Sequence, residues 1–353
     1  MRHLFAAITV AVATSATADD MLRDPVPDTG DEALDLHIHD PSRVMQRGAV
    51  EIIAVTGKEQ TGDYACGLEL WERPAGAAGP WRLSDCLLRD KPDWVADAVP
   101  TNDGAYWAPD FVGPDRIIYS AASAFDDGGQ ACLGMLVEGE DDIWRDIGAP
   151  LSCGGALEED VPEVSIIDPA FFETSQGDAY LVTGGGTIHV TPVNLTADDL
   201  DLPEAYPGPG WTALARGPVI EDDEHAWVEA SFLHEHDGAY YLFVNWGSCC
   251  AGVRSTYEIR VGRSANPLGP FTDRDGNAML DGHGTLVLDS DGIMRGPGHP
   301  SARAGATGDI LSFHYYDAER DGAPWRGAAG IEFVDGWPEI VPFDVEVPEP
   351  MSA

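Results

Sequence analysis

The sequence predicts an all-β chain folded as one five-bladed β-propeller. Three observations point there. Long helical periodicity is nearly absent, while short apolar runs are punctuated by 40 Gly and 26 Pro. Five short motifs, each ending in a polar residue, recur along the chain: Ile38-His39-Asp40, Ala108-Pro109-Asp110, Ile166-Ile167-Asp168, Trp227-Val228-Glu229 and Pro297-Gly298-His299. Their spacings are 70, 58, 61 and 70 residues, a mean of about 65. The same succession of runs follows each motif, enough for four strands per unit. A lone four-stranded sheet leaves both faces bare, whereas radial stacking of five buries them against one another.

The first 18 residues read as a secretory signal. Arg2 and His3 give a positive start, Leu4 to Val12 a short apolar run, and Ala16-Thr17-Ala18 a small-x-small cleavage site. Residues 19–33 are an N-terminal extension, 34–341 the propeller and 342–353 a tail. The second strand of each unit is expected at 50–55, 117–120, 179–182, 239–244 and 310–316. The third is expected at 66–71, 131–137, 187–193, 255–261 and 328–334. An aromatic marks the fourth: Trp81, Trp144, Trp211, Phe271 and Trp337. Two tandem β-sandwiches would need a central linker. The nearest candidate, residues 203–210, suits a connection between blades better.

Export makes the six cysteines candidates for disulfides. Cys66 and Cys132 fall in third-strand runs and their mates Cys86 and Cys153 beyond the fourth, so Cys66–Cys86 and Cys132–Cys153 bridges are predicted within blades. Cys249–Cys250 either forms a vicinal bridge or stays reduced. Charge excludes other classes. There are 61 acidic and 20 basic residues, for a formal charge of −41, and only Lys58 and Lys91 are lysines. Neither nucleic acid nor an anionic membrane would be attracted. No later stretch approaches 18 apolar residues. A soluble monomer, secreted or periplasmic after cleavage near Ala18, is expected.

In a propeller the residues heading the inner strands converge on one mouth of the central channel. Asp40, Asp110, Asp168, Glu229 and His299 would form a polar ring there, with Asp110 either contacting a ligand or supporting the ring. Crowded carboxyls are costly unless they have a task. Aromatics near the mouth, Tyr106, Trp107 and Trp246, are candidates to stack on a ligand. Two His-x-His pairs, His37-Ile38-His39 and His234-Glu235-His236, could each hold zinc from one strand face. The second pair precedes Asp237-Gly238, a hairpin turn signal, where exposed turn histidines are expected.

The motif set, with Pro41-Ser42 after Asp40, Trp107 before Ala108, Pro169 after Asp168 and Ala230-Ser231 after Glu229, resembles glycoside hydrolase family 43. The stretch Gly247-Ser248-Cys249-Cys250-Ala251-Gly252-Val253-Arg254-Ser255-Thr256-Tyr257, continuing to Gly269-Pro270-Phe271, is similar to its arabinanase branch. The resemblance covers roughly residues 34–340. It implies inverting hydrolysis of arabinosyl or xylosyl linkages, with Asp40 as general base, Glu229 as general acid and Asp168 as the carboxylate that orients the acid and adjusts its pKa. His299 matches a histidine beside an axial metal, often calcium. Pro300 and Ala230-Ser231-Phe232 depart from the usual family pattern. An exo-acting arabinofuranosidase or β-xylosidase would carry the same three carboxylates. A non-catalytic glycan-binding propeller would need no acid and base.

Overall fold

In a computed structural model of the chain, the strand runs between residues 37 and 342 assemble into five blade sheets around an axis, with two small two-stranded ribbons beside them. The structure describes residues 22–23, 37–57, 66–75, 80–102, 104, 106–123, 130–154, 165–195, 200–203, 205–221, 224–305 and 308–342. The signal sequence, most of the extension and nearly all of the tail lie outside the described residues. Blade 1 pairs Met45–Arg47, Val50–Thr56, Leu68–Pro74 and Arg82–Cys86 in order. Blade 2 runs Tyr106–Phe111, Arg116–Ala122, Ala131–Glu138, then a split outer strand, Trp144–Asp146 and Ser152–Gly154. Blade 3 has Ala170–Glu173, Ala179–Thr183, Thr187–Pro192 and Thr212–Arg216, and blade 4 has Val228–His236, Ala239–Trp246, Glu258–Ser264 and Thr285–Leu288. Blade 5 has Met294–Ala304, Asp309–Asp317, Ala323–Val334 and Trp337–Val341, with Leu22–Arg23 pairing onto residues 327–328.

Middle strands are buried on both faces, which is why they read as apolar runs rather than alternations. Val50–Thr56 is interior at all five central positions, and every residue of Ala239–Trp246 is buried. The core sits between blades. Ile52, Ala54 and Leu70 of blade 1 meet Phe111, Ile117 and Tyr119 of blade 2. Leu133 and Met135 of blade 2 meet Phe171 and Leu181 of blade 3. The ring closes where blade 5 meets blade 1. There Trp71 and Trp325 pack edge to face at 6.2 Å, and the Ile38 N–H donates to the Pro324 carbonyl at 3.2 Å.

Two expectations change. In blade 4 the aromatic Phe271 does not start the outer strand; a loop intervenes and Thr285–Leu288 completes the sheet. Residues 203–210 do not link two blades. They lie between the third and fourth strands of blade 3, and Ala205–Tyr206 pairs in parallel with the outer edge of blade 2. Both disulfides expected within blades are present, and Cys249–Cys250 is a vicinal bridge. Cys132 and Cys153 face each other directly across their strands.

Each blade carries one non-glycine residue with a left-handed backbone near its inner strand: Asp40 (φ 47°), Ala108 (φ 42°), Asp168 (φ 54°), Ala230 (φ 53°) and His299 (φ 53°). Proline follows four of them and Ser231 the fifth. The inner-strand ladders of blades 2, 4 and 5 break register at these points. The backbone therefore aligns Ala108 and Ala230 with Asp40, Asp168 and His299. Asp110 lies two residues later and Glu229 one residue earlier, a correction to the equivalence drawn from the motifs. Such conformations cost on the order of 1–3 kcal/mol each and persist where surroundings enforce them, typically at functional sites.

Candidate active site at the channel mouth

Asp40 is held from several sides. Its Oδ2 accepts from His39 Nδ1 at 2.8 Å and from the Thr56 hydroxyl at 2.9 Å. Its Oδ1 lies 3.4 Å from His314 Nδ1 and 3.6 Å from His299 Nδ1. Burial alone would raise this carboxyl. The charge and hydrogen bond of His39, with His299 and His314 behind it, instead hold it well below the usual carboxylate range. Burial also pushes His299 and His314 down toward their neutral forms, which leaves the His39 ring and the Thr56 hydroxyl as the bonded donors to the carboxylate. His39 is itself fixed. Its Nε2 meets the Tyr316 hydroxyl at 2.7 Å, and that oxygen accepts the Cys250 N–H at 2.7 Å. With Nδ1 donating to the carboxylate, a neutral His39 accepts from Tyr316.

Glu229 sits in the opposite environment. One oxygen accepts from Trp227 Nε1 at 2.7 Å and the other from the Tyr257 hydroxyl. Burial pushes its carboxyl up, the two donors pull against that, and the Asp40 charge adds to the rise. Asp168 is buried and raised as well, by desolvation first and then by the neighbouring Glu229 and Asp40. Its Oδ2 accepts the Ala230 N–H at 2.9 Å, so it grips the backbone immediately after Glu229. The structure thus brings Asp40, Asp168, Glu229 and His299 to one place.

Asp110 acts on His299 through its charge but is bonded elsewhere. It forms a buried fork with Arg43, Nε lying 3.0 Å from both carboxylate oxygens, and its Oδ2 also accepts the Phe171 N–H at 3.0 Å. It ties blades 1, 2 and 3 together, which is the supporting one of its two expected roles and not the ligand contact. Tyr106 is likewise a core residue, 2% exposed and packed edge to face with Tyr119 at 6.0 Å. Its ring has no free face for a sugar. Trp246 is buried with the Arg260 guanidinium 4.7 Å over its ring, and Trp107 is the half-buried one of the three. Sequence reasoning missed Thr56, Trp227, Tyr257 and His314 as partners of the carboxyls, and Tyr316 as the partner of His39. The last two had a signal: polar side chains at alternate positions of the buried run 309–317.

The second His-x-His pair is not in an exposed turn. His234 is buried and both rings bond Asp309, at the far end of the strand that carries Glu229. At the mouth, among the described residues, the His299 ring faces Asp40 at 3.6 Å and the buried His314 Nε2 has no hydrogen-bond partner. Neutral imidazole with unspent capacity on the axis fits a cation held mostly through water.

A carboxylate held ionised beside two buried carboxyls that resist ionisation, at the mouth of a propeller, is an arrangement able to do acid–base chemistry. The sequence model for Glycosyl hydrolases family 43 matches residues 80–338. The chain belongs to this family and is a glycoside hydrolase. It is 31% identical over 286 residues to the extracellular exo-alpha-(1->5)-L-arabinofuranosidase ArbA of Cellvibrio japonicus, covering 74% of this chain and 77% of that one. It is 27% identical over 310 residues to the extracellular endo-alpha-(1->5)-L-arabinanase 1 of Bacillus subtilis, covering 85% and 87%. Among solved structures, an exo-1,5-alpha-L-arabinanase from a bovine ruminal metagenomic library superposes with a TM-score of 0.71 at 25% identity, covering 86% of this chain and 96% of that one. The endo-arabinanase of Bacillus licheniformis gives 0.70 at 26%, covering 86% and 97%.

Proposed function

We propose that the protein hydrolyses α-1,5-linked L-arabinan with inversion of configuration. The observation that carries this reading is the divided carboxyl set, with Asp40 held ionised by His39 and Thr56 while Glu229 resists ionisation beside Asp168. In the reaction Glu229 gives its proton to the glycosidic oxygen as that bond breaks. Asp40 takes a proton from a water that attacks the anomeric carbon from the opposite face. Asp168, bonded to the Ala230 N–H, positions the acid; the two carboxyls share one buried place, and when Asp168 carries the pair's single charge it keeps Glu229 protonated. The names of the relatives, exo- and endo-acting on α-1,5-L-arabinan, support the substrate.

An axial cation, implied by the family resemblance and expected to be calcium, would rest on His299 with water completing its shell. When bound it supplies positive charge that helps keep Asp40 ionised. Three disulfides and relatives named as extracellular support action outside the cytoplasm after removal of residues 1–18. The test is incubation of the purified protein with linear arabinan, with Asp40→Asn as control. Arabino-oligosaccharides of mixed length mark endo action, and arabinose or one short oligomer marks exo action. Release of neither, with xylo-oligosaccharides cleaved instead, contradicts the substrate.

A further inference from the structure

The inner strand of blade 4 carries Glu229 near one end and His234 and His236 at the other. Seven residues at about 3.3 Å each put the two ends about 20 Å apart, on opposite faces of the propeller. The two histidines alternate, so their rings share one face of the strand. Asp309 opens the second strand of blade 5 and reaches across the blade boundary. Its Oδ2 accepts from His234 Nε2 at 2.7 Å and from His236 Nδ1 at 2.8 Å. The three donor atoms lie within 4.8 Å of one another. The His234 and Asp309 side chains are 8% and 10% exposed, and His236 is 30% exposed. The catalytic scheme uses none of them.

We infer that His234, His236 and Asp309 bind a divalent transition-metal cation of the zinc class, as a clamp between blades 4 and 5. Two imidazoles and one carboxylate suit zinc, cobalt or nickel; calcium and magnesium prefer oxygen. Tetrahedral zinc with bonds near 2.0–2.1 Å sets ligand atoms about 3.3 Å apart, so the donors need to part by about half an ångström around the ion. Both rings then bind as neutral imidazoles, and each ring proton moves to the other nitrogen. For His236 that nitrogen is Nε2, which already faces the Asp237 carboxylate at 3.6 Å, an outer partner that fixes such a tautomer. The ring is further held by Phe333, stacked at 3.6 Å and 13° between planes. His234 also lines a cavity of about 490 Å³ with Arg43, just before the inner strand of blade 1, and Phe172, Phe232 and Ala302 from the inner strands of blades 3, 4 and 5, which gives an ion a way to its ring. Three protein ligands leave a fourth position for water.

The test uses tag-free, chelator-treated protein titrated with zinc chloride. One equivalent should bind with micromolar or tighter affinity and raise Tm by several degrees, and cobalt(II) should give the visible absorption of a tetrahedral nitrogen–oxygen site. His236→Gln, at a half-buried position, should lose the cobalt spectrum and weaken zinc binding at least 100-fold, while arabinan cleavage in chelator stays at the wild-type rate. His299→Ala should keep both zinc binding and the spectrum. Excess calcium should not compete. No stoichiometric zinc binding by the wild type, or loss of binding in His299→Ala rather than in His236→Gln, overturns the site. Neither result bears on the arabinanase reading, which rests on the opposite face.

Discussion

Asp40 and Glu229 have the same carboxyl group and opposite surroundings. Asp40 is encircled by His39, Thr56, His299 and His314. Glu229 is buried beside Asp168 with two donors and no cation bonded to it. Asp40→Asn and Glu229→Gln should therefore fold but lose about 10³-fold in kcat on arabinan, within the usual 10²–10⁴ worth of an acid or base. Glu229→Gln should lose much less on an aryl arabinofuranoside, whose leaving group needs no proton. Equal losses on both substrates remove Glu229 from the acid role. The pH profile follows from the same directions. Activity needs Asp40 ionised and Glu229 protonated, so kcat/KM should fall as pH rises through the raised pKa of Glu229. Asp168→Asn takes away a like charge, and the alkaline limb should move to lower pH.

At the scale of the element, one left-handed residue per blade lies in or just before each inner strand, where the mouth begins. That device delivers Asp40, Asp168 and His299 directly and sets Glu229 beside Ala230. It was half legible in the sequence. The polar residue that ends each motif marks the repeat, but in blade 2 it lands on Asp110, two residues past the backbone equivalent Ala108. No spacing rule reveals that Asp110 is spent on Arg43, because that contact joins strands 67 residues apart. The vicinal cystine shows a second element at work. Its Cys250 N–H holds Tyr316, which holds His39, which holds Asp40. Tyr316 is thus a positioning residue. Tyr316→Phe should lower kcat about 5–10-fold, the worth of about one hydrogen bond, with KM nearly unchanged and the acidic limb of the pH profile moved upward. An unmoved acidic limb contradicts the chain of contacts. The Cys66–Cys86 bridge, which spans 20 residues, acts on stability alone. Replacing both with Ala should lower unfolding free energy by about 2–4 kcal/mol in urea titration.

The whole molecule is legible where the physics is local and repeated. Second strands lie within a few residues of their expected bounds because each is a buried apolar run between turn residues. The outer strand of blade 4 escaped because Phe271 packs in the core without entering the ladder. The net charge of −41 bears on the whole surface. Like-charge repulsion is screened within about 8–10 Å at moderate salt, so Tm should rise from low salt to about 0.5 M NaCl. A fall over that range counts against a surface governed by repulsion.

The central claim is that Asp40 directs water to the anomeric carbon while Glu229 protonates the leaving oxygen on the other side of the sugar. Proton NMR of the first product released from an arabinan oligosaccharide, recorded before mutarotation, tests it most directly. The account predicts that the new reducing end appears first as the β-anomer, opposite to the α-linkage cleaved. An α-anomer forming first would mean that a carboxylate attacks the sugar itself, and the assignment of Asp40 as a base acting through water would fall.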